Sequence, residues 1–193
     1  MVAEFGITSF DLEAEEAKLE RQFPGMWNTP QMQDNKQNKA LETFGEQQDL
    51  ALQNKCNFSY QTNLHNRNTN DTRIKFADEG FTTHLFFLFV THVEVCKQRV
   101  IKRISEGGHY VPENEIENRF AAGLKNLDAF FIFFDYLKII DTTPEKNTML
   151  LEINNKILTH IDPFMLDVCK SHRLKQLSDF INDYSFIKSG LDV

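Results

Sequence analysis

The sequence predicts an α/β fold: one domain in which a mainly parallel sheet is flanked by helices and carries a helical lid. Three observations point there. Short apolar runs at 4–10, 57–63, 81–90 and 136–143 alternate with helical patterns over most of the 193 residues. The run at 81–90, FTTHLFFLFV, is nearly continuous. That reads as a strand buried on both faces, the habit of parallel sheets covered by helices. The third observation is the stretch 92–127, where two helical patterns flank a Gly-Gly corner.

The elements follow in order. Residues 4–10 form a short apolar strand, and Asp11 at its end caps a helix that starts DLEAEEAKLERQ. Asp11 can be a cap alone, or also a carboxylate placed for chemistry at the carboxyl end of a strand. Residues 23–30, FPGMWNTP, are a loop by their Pro and Gly. The Gln/Asn-rich span 31–55 keeps Ala40, Leu41, Phe44, Leu50, Ala51 and Leu52 on a partial stripe, so it reads as a helix packed on one side. Residues 57–63, NFSYQTN, alternate aromatic and polar side chains as a strand does. A loop and a short helix to Glu79 follow, and Gly80 ends that helix. After the buried strand and the lid come a strand at 136–143, YLKIIDTT, and a last strand or hairpin at 147–157. Asp162-Pro163 opens one C-terminal helix through Asn182, with Phe164, Leu166, Val168, Leu174, Leu177 and Ile181 as its apolar positions.

Within the lid, Val93, Cys96, Val100 and Ile104 make one stripe, while Lys97, Arg99, Lys102 and Arg103 fall mostly off it. Gly107-Gly108 stops the first helix, and Pro112 restarts the second near Glu113, Glu115 and Glu117. Ile116, Phe120, Leu124 and Leu127 form the buried side of the second helix, which carries Arg119. A helix pair with glycine joints suits a lid that closes guanidinium groups on phosphates; a solvated helical hairpin reads equally well from pattern alone.

Composition narrows the function classes. Hydrophobic residues make up 41%, with eighteen phenylalanines, which suffices for a packed core. A net charge of −7 argues against a nucleic-acid binder. No apolar run approaches the roughly 20 residues of a membrane span, and the acidic start lacks a signal peptide, so no membrane is expected. Cys56, Cys96 and Cys169 lie far apart, as reduced thiols in a cytoplasmic protein do. Six histidines show no metal-ligand spacing, no metal site is predicted, and His84 reads as a core residue.

The lid segment RVIKRISEGGHYVPENEIENRFAAGLKNL, with Gly107, Gly108, His109, Val111, Pro112, Arg119, Asn126 and Leu127, resembles the lid of zeta-toxin-like P-loop kinases. The resemblance extends more loosely over about 9–143. It implies a cytoplasmic kinase that uses ATP and Mg²⁺ to phosphorylate a hydroxyl of a nucleotide sugar of the UDP-N-acetylglucosamine type, with an antitoxin as possible partner. Asp11 matches the family's base after its second strand. Gln61-Thr62-Asn63-Leu64-His65-Asn66-Arg67 matches its substrate motif, with Thr62 and Arg67 in register and Gln61 in place of an acid. An amide can hydrogen-bond a sugar hydroxyl, yet it cannot accept a proton. Arg103 and Arg119, with Arg99 and His109, correspond to lid groups that contact phosphate, and Asp141-Thr142 matches the end of a family strand.

The family also needs a strand leading into G-x-x-x-x-G-K-[ST], whose backbone N–H groups wrap the nucleotide phosphates. The eight glycines stand at 6, 25, 45, 80, 107, 108, 123 and 190, and none fits. The first strand and P-loop are thus absent, and the chain alone is expected to be inactive. A fragment, a subunit of a split enzyme completed by a chain that supplies the P-loop, and a degenerate homologue that binds a nucleotide sugar or a protein all remain open.

Overall fold

The structure is a computed structural model of the chain and describes residues 9–66, 68–106 and 110–189. Its contacts fall into two compact units, Met1–Thr62 and Asn63–Val193.

The first unit is built on two helices, α1 (Leu12–Gln22) and α2 (Pro30–Gln53). Each begins where local chemistry dictates. Asp11 Oδ1 accepts the Ala14 amide at 3.1 Å. Thr29 Oγ1 accepts the Met32 amide at 3.3 Å, and Pro30 fills the first helical position. The helices pack through Leu19, Trp27 and Ala40. Lys36 is buried beside them, with its ammonium 3.6 Å from Glu20. Phe44 of α2 meets Phe10, Phe58 and Tyr60 at centroid distances of 5.1, 5.7 and 5.1 Å. The alternation at 57–63 therefore serves to turn Phe58 and Tyr60 onto α2. The two strands expected at 4–10 and 57–63 reduce, among the described residues, to one parallel bridge between Phe10 and Tyr60. Residues 4–8 lie outside the described residues. Gln61, Thr62 and Asn63 are exposed, so no apolar side chain extends the pairing.

In the second unit, α3 (Asn68–Asp78) precedes β1 (His84–Phe89), then α4 (Val93–Ser105) and α5 (Glu113–Phe130). A 3-10 turn at Phe131–Phe133 leads to β2 (Tyr136–Asp141), β3 (Thr148–Asn154) and β4 (Ile157–Ile161), and α6 (Phe164–His172) and α7 (Lys175–Ser189) close the chain. The sheet order is β1-β2-β3-β4. β1 and β2 run parallel, joined through α4 and α5. The other two pairs are antiparallel. The mixed α/β class is as predicted, whereas the mainly parallel sheet is corrected to one parallel pair. The connections explain why: a parallel crossover takes a dozen residues or more, and β3 and β4 are joined by two. Asn155 and Lys156 both have positive φ, 48° and 63°, as a tight hairpin turn requires.

Leu85, Phe89, Leu137, Ile139, Leu151 and Ile153 line the core with Leu124, Leu127, Met165, Val168, Leu177 and Ile181 from the helices. β1 departs from expectation. His84 is exposed and Leu88 is 58% exposed, so the strand is not buried on both faces. It stands at the end of the sheet order, and the helical core covers its Leu85 and Phe89 side. The single C-terminal helix is also corrected, because Arg173 takes a left-handed conformation that separates α6 from α7. The register of α6 turns Met165 and Cys169 inward and leaves Phe164 and Leu166 exposed.

α5 braces the start of this unit. Leu64 is buried at φ 54°, a costly conformation for a bulky residue. Asn126 Nδ2 donates to its carbonyl at 2.8 Å. One turn earlier Gly123 leaves room for the Asn63 carbonyl, which would stand 2.9 Å from an added Cβ. Gly123→Ala should therefore destabilise the protein by about 1–3 kcal/mol, although Ala is the better helix former in general. A lower urea midpoint is the expected result.

Candidate functional site

In the first unit the backbone sets the geometry. The Phe10 amide donates to Ser59 O at 2.8 Å, and the Gln61 amide donates to Phe10 O at 2.9 Å. Asp11 and Gln61-Thr62 thus emerge at the same, carboxyl end of one parallel pair. That is the end of a parallel sheet where ligands are met. Asp11 is half-buried and spends one oxygen on the α1 cap; its second oxygen has no partner among the described residues. Gln61 and Thr62 are exposed. Arg67 lies outside the described residues.

The second unit repeats the parallel arrangement at the carboxyl ends of β1 and β2. The Thr142 amide donates to Phe89 O at 2.9 Å, and the Thr91 amide to Thr143 Oγ1 at 2.9 Å. Asp141 is 7% exposed and accepts the Thr143 amide at 2.8 Å. Arg99 reaches this knot from α4, donating to Thr142 Oγ1 at 3.1 Å and to the Thr142 carbonyl. His172 packs edge-on between Phe89 and Phe120, and burial holds its pKa below the usual value, partly offset by a hydrogen bond to the Thr91 backbone. Asp141-Thr142 was legible in the sequence. Thr91 and Thr143 were not singled out, though both stand two residues past strand ends.

The two helices read as a lid, α4 and α5, form where the sequence places them, but charges on them are engaged with one another. Lys97 of α4 stands 3.3 Å from Glu113 and 2.6 Å from Glu117 of α5, and the Glu117 bond is the main cause that raises its pKa. Arg119 pairs with Glu115 one turn back. Arg103 sits exposed in the last turn of α4. The α4 stripe is shallow: Val93, Cys96 and Val100 are half-buried and Ile104 is exposed. His109 and the glycine corner lie outside the described residues.

The phosphates of ATP find no cradle among the described residues. Gly45 and Gly123 are inside helices, and Gly25 and Gly80 follow helices at φ 75° and 81°. None leads from a strand into a helix, so the described residues do not fit an ATP phosphate loop. No group of three His, Cys, Asp or Glu able to hold a metal ion occurs among the described residues. No helix among them is long and apolar enough to cross a membrane.

At the opposite end of the β1–β2 pair, Asp135 accepts the Thr83 amide at 2.8 Å and its hydroxyl at 2.9 Å. The amide bond is the main cause that lowers the Asp135 pKa. A lowered pKa means the unfolded chain binds the proton more readily, so this stability is present above the unfolded pKa and lost as pH falls through the folded one. Asp135→Asn should flatten the loss of stability between about pH 5 and pH 2. Urea midpoints measured across that range check it, and an unchanged acid limb would remove Asp135 from the account.

A family model described as Zeta toxin matches residues 21–155 of the chain. The match spans Gln61, Thr62, Arg67, Arg99, Arg103, His109 and Arg119, and begins after Asp11. No curated protein and no solved structure matches the chain.

Proposed function

Because the chain belongs to the zeta toxin family, whose members are P-loop-kinase-like, we propose that its first unit carries the acceptor side of a phosphotransferase. The acceptor would be a hydroxyl of a nucleotide sugar of the UDP-N-acetylglucosamine type. One observation carries the reading: Asp11 and Gln61-Thr62 stand together at the carboxyl end of the Phe10–Tyr60 pair. The Asp11 carboxylate would accept the proton of the acceptor hydroxyl. Thr62 and the Gln61 amide hydrogen-bond the sugar. Arg67 and the lid groups Arg99, Arg103, His109 and Arg119 are the proposed phosphate contacts. ATP would supply the phosphoryl group and leave as ADP, Mg²⁺ would offset the phosphate charge, and their loop would come from outside the described residues, in this polypeptide or in a partner chain. An antitoxin is a further proposed partner, and the scattered cysteines fit a cytoplasmic protein. The second reading is a binder without turnover. Gln61 favours it, since an amide brings no charge to Mg²⁺.

Calorimetric titration of the chain tests the proposal. UDP-N-acetylglucosamine should bind and Mg-ATP should not. Failure of the sugar nucleotide to bind rejects the acceptor site, and binding of Mg-ATP rejects the missing cradle. Asp11→Asn keeps a side-chain oxygen for the Ala14 amide, so the helix cap survives while the base is lost. In an enzyme complemented with a P-loop segment, transfer should fall about 10²–10⁴-fold with binding unchanged. Equal transfer by the variant would take Asp11 out of the mechanism, and no transfer by the complemented parent would select the binder.

A further inference from the structure

A cavity of about 430 Å³ opens between one face of α5 and the corner joining α6 to α7. Phe120 and Leu124 of α5 and Leu174 of the corner give it an apolar floor, and Lys125 and Arg173 stand at it as cations. We propose that this cavity is a binding site for a small organic anion, one with a flat apolar body and a single carboxylate.

The size falls within the ordinary range for ligand pockets, about 300–1,000 Å³. The charge is positive where it counts. Lys125 and Arg173 are exposed, and neither side chain has a hydrogen bond or ion pair among the described residues. Asp128 also lines the cavity, but its two oxygens accept the Leu177 amide at 2.9 Å and the Gln176 amide at 3.3 Å. Its charge is thereby turned to the start of α7, where it is stabilised by the helix dipole. A protein of net charge −7 thus presents two exposed cations over an apolar floor.

The backbone makes a second, independent argument. Arg173 has φ 56° and ψ 38°, just past the end of α6, with the Leu174 amide donating to Cys169 O at 2.8 Å. Glycine is the inexpensive residue for that position, and any other pays for the left-handed conformation. An arginine held there costs stability and places a guanidinium at the cavity. Neither the acceptor residues nor the lid arginines take part, so this site stands or falls separately from the proposed function.

Arg173→Gly separates a binding role from a structural one. If Arg173 only ends the helix, glycine does so better, and nothing is lost. The test is a titration of the ¹⁵N-labelled full chain with benzoate and with its neutral isostere benzamide, followed by amide shifts in NMR spectra. Benzoate should shift the Leu124 and Leu174 amides, and benzamide should bind at least about tenfold more weakly, the usual loss with a charge-assisted contact. Arg173→Gly should unfold at or above the parent's temperature yet bind benzoate about tenfold more weakly, and Lys125→Ala should weaken it similarly. No shifts at millimolar benzoate, equal binding of benzamide, or unchanged affinity in Arg173→Gly would each overturn the proposal.

Discussion

The second unit depends on β2, the strand at which the sheet changes direction. It pairs parallel with β1 on one side and antiparallel with β3 on the other. Leu137 and Ile139 are fully buried against the helices. Both ends of the parallel pair are fastened by short polar bonds: Thr83 to Asp135 at the amino end, and Thr91 to Thr143 and Thr142 to Phe89 at the carboxyl end. These bonds satisfy backbone groups that leave the ladder, which would be costly to bury unpaired. The same fastening delivers Asp141 and Thr142 to the edge of the sheet that Arg99 reaches.

Electrostatics on α4 and α5 are local. Glu113, Glu115 and Glu117 suit the positive start of α5, and they also take up Lys97 and Arg119. Such partly exposed pairs contribute little to stability, since water and salt screen them. Lys97 differs from Arg119 in what it joins. It bridges two helices, whereas the Arg119–Glu115 pair lies within one.

Much of the local structure was legible in the residues. Asp11, Thr29 and Pro30 mark helix starts through bonds made within four residues. The aromatic alternation at 57–63 correctly put Phe58 and Tyr60 on one side, while the extent of pairing exceeded what forms among the described residues. The apolar run at 81–90 misled in a different way. Its composition reports a preference for extended, buried backbone, and it is silent on which side neighbours will cover. Leu88 and His84 ended exposed because the helical core covers the opposite face of β1, the one that carries Leu85 and Phe89. For the candidate site, the resemblance to the family's motifs named Asp11, Gln61 and Thr62. Their placement at one strand end followed only from two backbone hydrogen bonds.

The sequence by itself determined several helix starts, the α/β class, the helix pair within 92–127 and the family, since each rests on short-range chemistry or on a contiguous motif. Asn126 shows where motif and physics meet, because its place in that motif is explained by one bond to the Leu64 carbonyl. The tertiary structure decided strand direction, the partners of Lys97 and Arg99, and the cavity at the α6–α7 corner. Those features join residues far apart in the chain. No local propensity encodes them, and only packing brings the groups within reach of one another.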